Sequence, residues 1–133
     1  MNDDQRVEVT ELRVPYRDID MNGLMRASAY VDHAETALAH FWRYRPPLED
    51  EPVYVTSKLE CRLYEPLRLD DALRLTVRID KIGGKSIGFN IMIERGNSVV
   101  AEVELTRAAT GVEAGEPVPL PEDTRDWLYG HLA

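Results

Sequence analysis

Apolar and polar positions alternate over long stretches of the second half of the chain. Val53, Val55, Ser57, Leu59, Cys61 and Leu63 share one phase, and Tyr54, Thr56, Lys58, Glu60, Arg62 and Tyr64 the other. A period of two over this length predicts a strand. Leu73, Leu75, Val77 and Ile79 then alternate with Arg74, Thr76, Arg78 and Asp80. After the Gly83-Gly84 turn comes a return strand on Ile87, Phe89, Ile91 and Ile93. Past Gly96-Asn97, Val99, Ala101, Val103 and Leu105 predict a last strand that continues toward Thr110. Near the start, Val7 and Val9 and then Leu12, Val14 and Tyr16 are strand-like but change phase. Either a bulge near Thr10–Glu11 or a strand beginning only at Leu12 accounts for the slip. One stretch breaks the two-residue period. Tyr30, Ala34, Ala37, Leu38 and Phe41 fall on one face of a helix, predicted over 28–45. Ser28 is its expected cap, Asp32 and Glu35 lie near its positive start, and His40, Arg43 and Arg45 gather at its negative end before Pro46-Pro47. Residues 111–121 predict a loop and the segment after them a short terminal helix.

The order is therefore strand, helix, then four strands joined largely by short connections, which predicts an antiparallel meander. Its apolar face needs cover, and helix 28–45 is the long amphipathic element available. The fold class is α+β, a curved antiparallel sheet wrapped around one long helix. One domain is expected over 1–133, with a core of about 7–110 and a tail of 111–133. Such a sheet leaves edges uncovered, so a homo-oligomer, dimer or tetramer, is expected.

The balance of 24 acidic against 16 basic residues gives −8 and disfavours nonspecific nucleic-acid binding or docking on acidic carriers. No apolar run approaches the roughly 20 residues of a membrane span, and MNDDQR lacks the basic and apolar parts of a secretory signal. Cys61 stands alone, which excludes an internal disulfide and suits a reducing cytoplasm. Three scattered histidines and one cysteine do not assemble a zinc set.

The candidate chemistry lies in the turn before the helix, where Asp18 and Asp20 precede Gly23. A carboxylate there sits beside a helix N-terminus, whose free N–H groups attract developing negative charge. That arrangement suits a reaction passing through an oxyanion; the bland alternative is a turn and helix-entry pair of aspartates. Asp18 is expected to order the turn through backbone hydrogen bonds. Glu35 is either a solvated helix residue or part of the site. Tyr30 is expected in the core or a pocket wall, Cys61 as a buried inert thiol, and Arg74 and Arg78 on the solvated outer face. His33 and His40 read as surface residues and His131 as part of a mobile terminus.

The run Tyr16-Arg17-Asp18-Ile19-Asp20-Met21-Asn22-Gly23, followed by Tyr30 and Glu35, resembles the hotdog-fold thioesterases of the 4-hydroxybenzoyl-CoA and acyl-CoA type. Tyr64, Pro66, Leu67, Arg68 and Asp71 match a further stretch of that pattern, and Lys81, Ile82, Gly83 and Ser86 a hairpin. Ala101-Glu102 and Pro117 to Pro121 match its late features, so the likeness covers about 11–128. The resemblance implies thioester hydrolysis with no metal or redox cofactor, coenzyme A being part of the substrate. It implies Asp20 as nucleophile or general base, Gly23 as the turn residue and the N–H near Ala27 as oxyanion donor. Asn22, Leu24, Arg26, Tyr30 and Glu35 are then expected to meet substrate, with Lys58, Arg62, Lys85 and Ser86 as candidate coenzyme A contacts. The chain departs from the family's G-H-V-N-N run, having Gly23-Leu24-Met25-Arg26-Ala27, and Arg26 is free to pair with Asp20 or to meet an anionic substrate. A non-catalytic acyl-CoA-binding module is the rival reading, and an enoyl hydratase lacks the histidine it needs in the turn.

Overall fold

A computed structural model describes residues 8–113 and 115–132. The expectations placed on residues 1–7, Val7 among them, lie outside the described residues. The elements are β1 (Glu8–Arg13), a 3-10 turn (Tyr16–Asp18), α1 (Ala27–Trp42), β2 (Val53–Leu63), β3 (Ala72–Ile82), β4 (Ser86–Arg95), β5 (Ser98–Thr110) and α2 (Glu122–Tyr129). The five strands form one antiparallel sheet in the order β1-β3-β4-β5-β2. The expected α+β architecture, a sheet packed against one long helix, is what is observed.

β3, β4 and β5 form the predicted meander, but β2 does not precede them in it. It pairs with β5 at the far edge. The connection Tyr64–Asp71 carries the chain across the end of the sheet, over three strand spacings or about 14 Å. Backbone bonds tie this crossing down. Val100 O accepts from Tyr64 N at 2.9 Å and Glu65 N at 3.2 Å, Leu67 O accepts from Met25 N at 2.8 Å, and Val14 O accepts from Asp70 N at 2.9 Å.

Two phase expectations are corrected. In β2, Thr56 faces Arg107 and Lys58 faces Thr106, so Ser57 bulges and the side-chain phase reverses there. The helix-facing row is thus Tyr54 and Thr56, then Leu59, Cys61 and Leu63. In β1 the register with β3 runs unbroken from Glu8↔Val77 to Arg13↔Ala72, neither bulged nor starting at Leu12. Val9 simply points outward, 47% exposed. The strand stops before Pro15, which has no N–H for the ladder, and Tyr16 lies in the 3-10 turn, 81% exposed.

α1 buries Ala29, Tyr30, Ala34, Ala37, Leu38 and Phe41, the predicted face. They meet the inner rows Leu73, Leu75 and Val77, then Ile87, Phe89, Ile91 and Ile93, then Val103 and Leu105. Each large side chain so enclosed contributes roughly 1.5–3 kcal/mol. The helix ends at Trp42, short of the predicted Arg45. Arg45 nevertheless donates to Trp42 O at 2.8 Å and pairs with Glu51, the position its charge favours at a helix C-terminus. α2 closes that end: Trp127 lies 5.1 Å from Phe41 between ring centres, and His131 packs on both and donates from Nδ1 to Trp127 O at 2.8 Å. His131 is therefore packed rather than loose.

Candidate active site

The turn before α1 is a small closed loop. Ile19 bridges to Met25, Asp20 N donates to Leu24 O at 2.8 Å and Gly23 N to Asp20 O at 3.0 Å. Gly23 sits at φ +79°, a left-handed conformation that costs a side-chain-bearing residue about 1–2 kcal/mol. Inside this loop Asp20 Oδ1 accepts from Asn22 N at 2.8 Å and from Leu24 N at 3.1 Å. Among the described residues no hydrogen bond reaches Asp20 Oδ2. The carboxylate is half-buried, with one oxygen held by backbone N–H groups and the other open.

Arg26 is the residue that caps α1, in extended conformation and without a side-chain cap bond. Ser28, the expected cap, lies inside the helix and its Oγ accepts from Arg26 Nη1 at 2.7 Å. Among the described residues, nothing accepts from the N–H of Ala27 or Ser28. The first N–H groups of the helix are therefore open, and Ala27 is exposed beside the Asp20 loop.

The two aspartates have exchanged the expected manner of bonding. Asp20, not Asp18, orders the turn through backbone N–H groups. Asp18 is 4% exposed, and its Oδ2 lies 2.7 Å from His33 Nε2 while its Oδ1 lies 3.4 Å from Arg26 Nη2. Its carbonyl also accepts from Arg26 N at 2.8 Å, which ties the 3-10 turn to the helix start. His33 is thus no surface residue, and Arg26 pairs with Asp18 rather than with Asp20. Sequence reasoning had a usable signal for His33, because Tyr30, His33 and Ala37 stand at i, i+3 and i+7 on the buried flank of α1.

Tyr30 is buried, and its hydroxyl donates to Glu65 O at 3.4 Å; burial raises its pKa above 10.0. Glu35 is exposed, 3.9 Å from Arg107. Cys61 lies on the helix-facing row, half-buried, and its thiol is pushed up from 9.0 by desolvation. Lys58 and Ser86 meet on the outer face of the sheet, in a depression shared with Glu60, Asp80, Lys81 and Glu104. That is the face opposite α1, so the structure gathers Asp20, Asn22, Gly23, Leu24, Arg26 and Ala27 at one place and these residues at another. Arg62 is engaged by Glu60 at 2.5 Å and Glu104 at 3.5 Å, and Lys85 is exposed in the β3–β4 turn. Arg74 and Arg78 are exposed, as expected of the outer face.

A half-exposed carboxylate fixed beside open helix N–H groups can attack, or deprotonate water against, a carbonyl whose oxygen rests on those groups. Comparison with known proteins bears on that chemistry. The family model of the thioesterase-like superfamily matches residues 14–128. The acyl-CoA thioester hydrolase YbgC of Escherichia coli is 26% identical over 117 residues, covering 84% of this chain and 87% of that protein. Among solved structures, a Staphylococcus aureus protein in complex with CoA superposes with a TM-score of 0.87 at 14% identity, over 96% of this chain and 84% of that one. A gentisyl-coenzyme A thioesterase superposes with a TM-score of 0.79 at 18% identity, over 90% of this chain and 98% of that one.

Proposed function

Because the chain belongs to the thioesterase-like superfamily, we propose that it hydrolyses acyl-CoA thioesters to a free acid and coenzyme A, with Asp20 as the catalytic carboxylate. The class, thioester hydrolase, agrees with the family and with the named relative. The observation that carries the residue assignment is the Asp20–Leu24 loop, closed directly against an uncapped helix start. Asp20 Oδ1 is immobilised by two N–H groups, so Oδ2 is the reactive atom. The N–H of Ala27 receives the oxyanion, and Gly23 supplies the backbone turn that holds both.

Two routes fit. In one, Oδ2 attacks the carbonyl carbon, the oxyanion collapses, the C–S bond breaks and the thiolate leaves to take a proton; water then cleaves the mixed anhydride. In the other, Asp20 takes a proton from water as that water attacks, and passes it to the departing sulfur. Each consumes one water and needs no metal or redox cofactor. Leu24, Tyr30 and Asn22 flank the acyl end. Arg26 keeps its guanidinium on Asp18 and acts through the loop, and Glu35 stands farther along the helix. Lys58 and Ser86, on the sheet face away from Asp20, and Lys85 in the β3–β4 turn are assigned to the coenzyme A phosphates of a substrate held at the Asp20 of a second copy in the homo-oligomer; Arg62, already neutralised by two glutamates, contributes least. The unit is one domain that works as a homo-oligomer in the cytoplasm; none of the described helices is long and apolar enough to cross a membrane.

The absence of the family's histidine and asparagines after Gly23 favours the second reading, a module that binds acyl-CoA without cleaving it. Free-thiol release from short, long and aromatic acyl-CoAs separates the two, with wild type and Asp20→Asn in parallel. A hydrolase loses about 10²–10⁴ of its turnover in the variant while still binding coenzyme A. No release by wild type across the panel, with coenzyme A bound, establishes the module instead.

A further inference from the structure

Arginine 107 is on the wrong face of its strand for a solvated residue. In β5 the helix-facing row is Ala101, Val103, Leu105, Arg107 and Ala109, and four of these five are fully buried apolar residues. Arg107 stands between Leu105 and Ala109 in that row, beneath α1. Its Nη2 reaches Glu35 only loosely, at 3.9 Å, and its Nε is buried with no partner among the described residues. It lines a cavity of about 10 Å³ with Leu38, Trp42, Tyr54 and Phe89. The Tyr54 hydroxyl, in the same wall, is likewise buried and unpartnered, as is the Thr124 hydroxyl beside it. Thr124 lies close enough to temper the burial-driven rise in the Tyr54 pKa, but its geometry falls short of a hydrogen bond. Buried polar groups are almost always satisfied, and a cavity of this size holds one oxygen atom.

The cavity and the Asp20 loop lie toward opposite ends of α1, and β2 runs between them. β2 runs antiparallel to α1: Tyr30, near the helix start, donates to Glu65 just past the strand's end, and Trp42, at the helix end, packs on Tyr54 at 4.9 Å. Between them the helix-facing row of β2 is Leu63, Cys61 and Leu59. Leu63 is 49% and Leu59 44% exposed, so α1 does not cover this apolar strip. Past the Ser57 bulge the row turns polar, at Thr56 and Tyr54 opposite Arg107 and Ala109. From Ala27 to Leu38 the helix rises about 16 Å. An acyl chain of dodecanoyl length entering beside Ala27 therefore lies on an apolar strip and ends at three unpartnered polar atoms.

We infer that this groove selects long acyl chains bearing a hydroxyl at the end distal to the thioester, with Arg107 and Tyr54 as the specificity-determining residues. The terminal oxygen accepts from Arg107 Nε–H and exchanges a hydrogen bond with the Tyr54 hydroxyl. A methyl terminus leaves both buried and unpaired, and sites built to bond a hydroxyl discriminate strongly against analogues that lack it. The reaction in this inference rests on the thioesterase reading; the binding does not, and the test separates them.

Thiol release is compared for dodecanoyl-CoA and ω-hydroxydodecanoyl-CoA, and calorimetry for the two free acids. Wild type, Arg107→Met and Tyr54→Phe are used, the last as the variant that keeps the fold's shape. The expected result is a kcat/KM at least about tenfold higher for the hydroxylated thioester, matching tighter binding of the hydroxy acid, with both preferences falling to near unity in Tyr54→Phe. If thiol is released from both thioesters alike and both acids bind alike, the cavity merely encloses a water and the inference falls while the hydrolase stands. If no thiol is released but the hydroxy acid is still preferred, the groove stands and the hydrolase falls.

Discussion

Removing the His33 ring would strip the Asp18 carboxylate of its 2.7 Å contact and leave only Arg26, at 3.4 Å. Because Asp18 is buried, His33→Leu should cost about 1–3 kcal/mol, the desolvation penalty of an unsatisfied group, read as a lower urea midpoint. His33→Gln, which can still donate to Asp18, should recover most of it. Equal loss in both variants would mean the ring matters only for packing. At Gly23 a Cβ would meet nothing within 4 Å, so Gly23→Ala tests conformation alone. It should lower stability by about 1 kcal/mol and reduce turnover more than stability, since Asp20 is held by the same loop. Cys61, its thiol raised by burial, should react with iodoacetamide near neutral pH more slowly than a free thiol. Of this site, the Asp20 loop was legible in the sequence because its parts lie within a few residues and glycine marks the turn. The Asp18–His33 pair was not, since it depends on how the 3-10 turn meets a particular flank of α1.

The same division holds between elements. α1 was legible because five apolar residues at helical spacing admit one buried face, and β3 to β5 because two-residue alternation is joined by tight turns. The Ser57 bulge escaped because Val53, Val55 and Ser57 continue the alternation without a break; nothing in the residue types marks the reversal. Deleting Ser57 should therefore be mild. It would leave Thr56 and Lys58 adjacent, opposite the already adjacent Arg107 and Thr106, a regular ladder that keeps Tyr54 against Trp42 and Leu59, Cys61 and Leu63 inward. We expect a loss of about 1 kcal/mol or less, and Ser57→Ala should be nearly neutral. A deletion variant that loses several times that in denaturant unfolding would show that the bulge itself, and not the alternation of these two rows, holds β2 in register. The position of β2 also escaped, because the Tyr64–Asp71 connection is long enough to cross the sheet yet contains turn residues that suit a hairpin.

For the molecule as a whole, the open outer edges of β1 and β2 predict association. Sedimentation equilibrium should give a mass of at least two chains, and a monomer at all concentrations would count against the proposed homo-oligomer. The alkaline limb of stability follows from burial. Tyr30 and Tyr54 both have pKa values raised from 10.0, so the folded state keeps protons that the unfolded chain releases. Their contribution is complete below about pH 10 and is lost as pH climbs through the raised values. Chemical denaturation should show stability falling there, with a shallower fall in Tyr30→Phe. The sheet order has one more consequence, for biosynthesis. β5 lies between β4 and β2, yet it is made last of the five strands. While the ribosome is still short of residue 98, β2 has no neighbour in the sheet and its apolar strip faces water. β1 likewise waits for β3. The chain must therefore leave the ribosome almost whole before its sheet can close, which makes folding slow and exposes the nascent chain to aggregation. A chain stalled just after Gly96 should be bound by chaperones and cut readily by protease, and one stalled well past Thr110 should resist both.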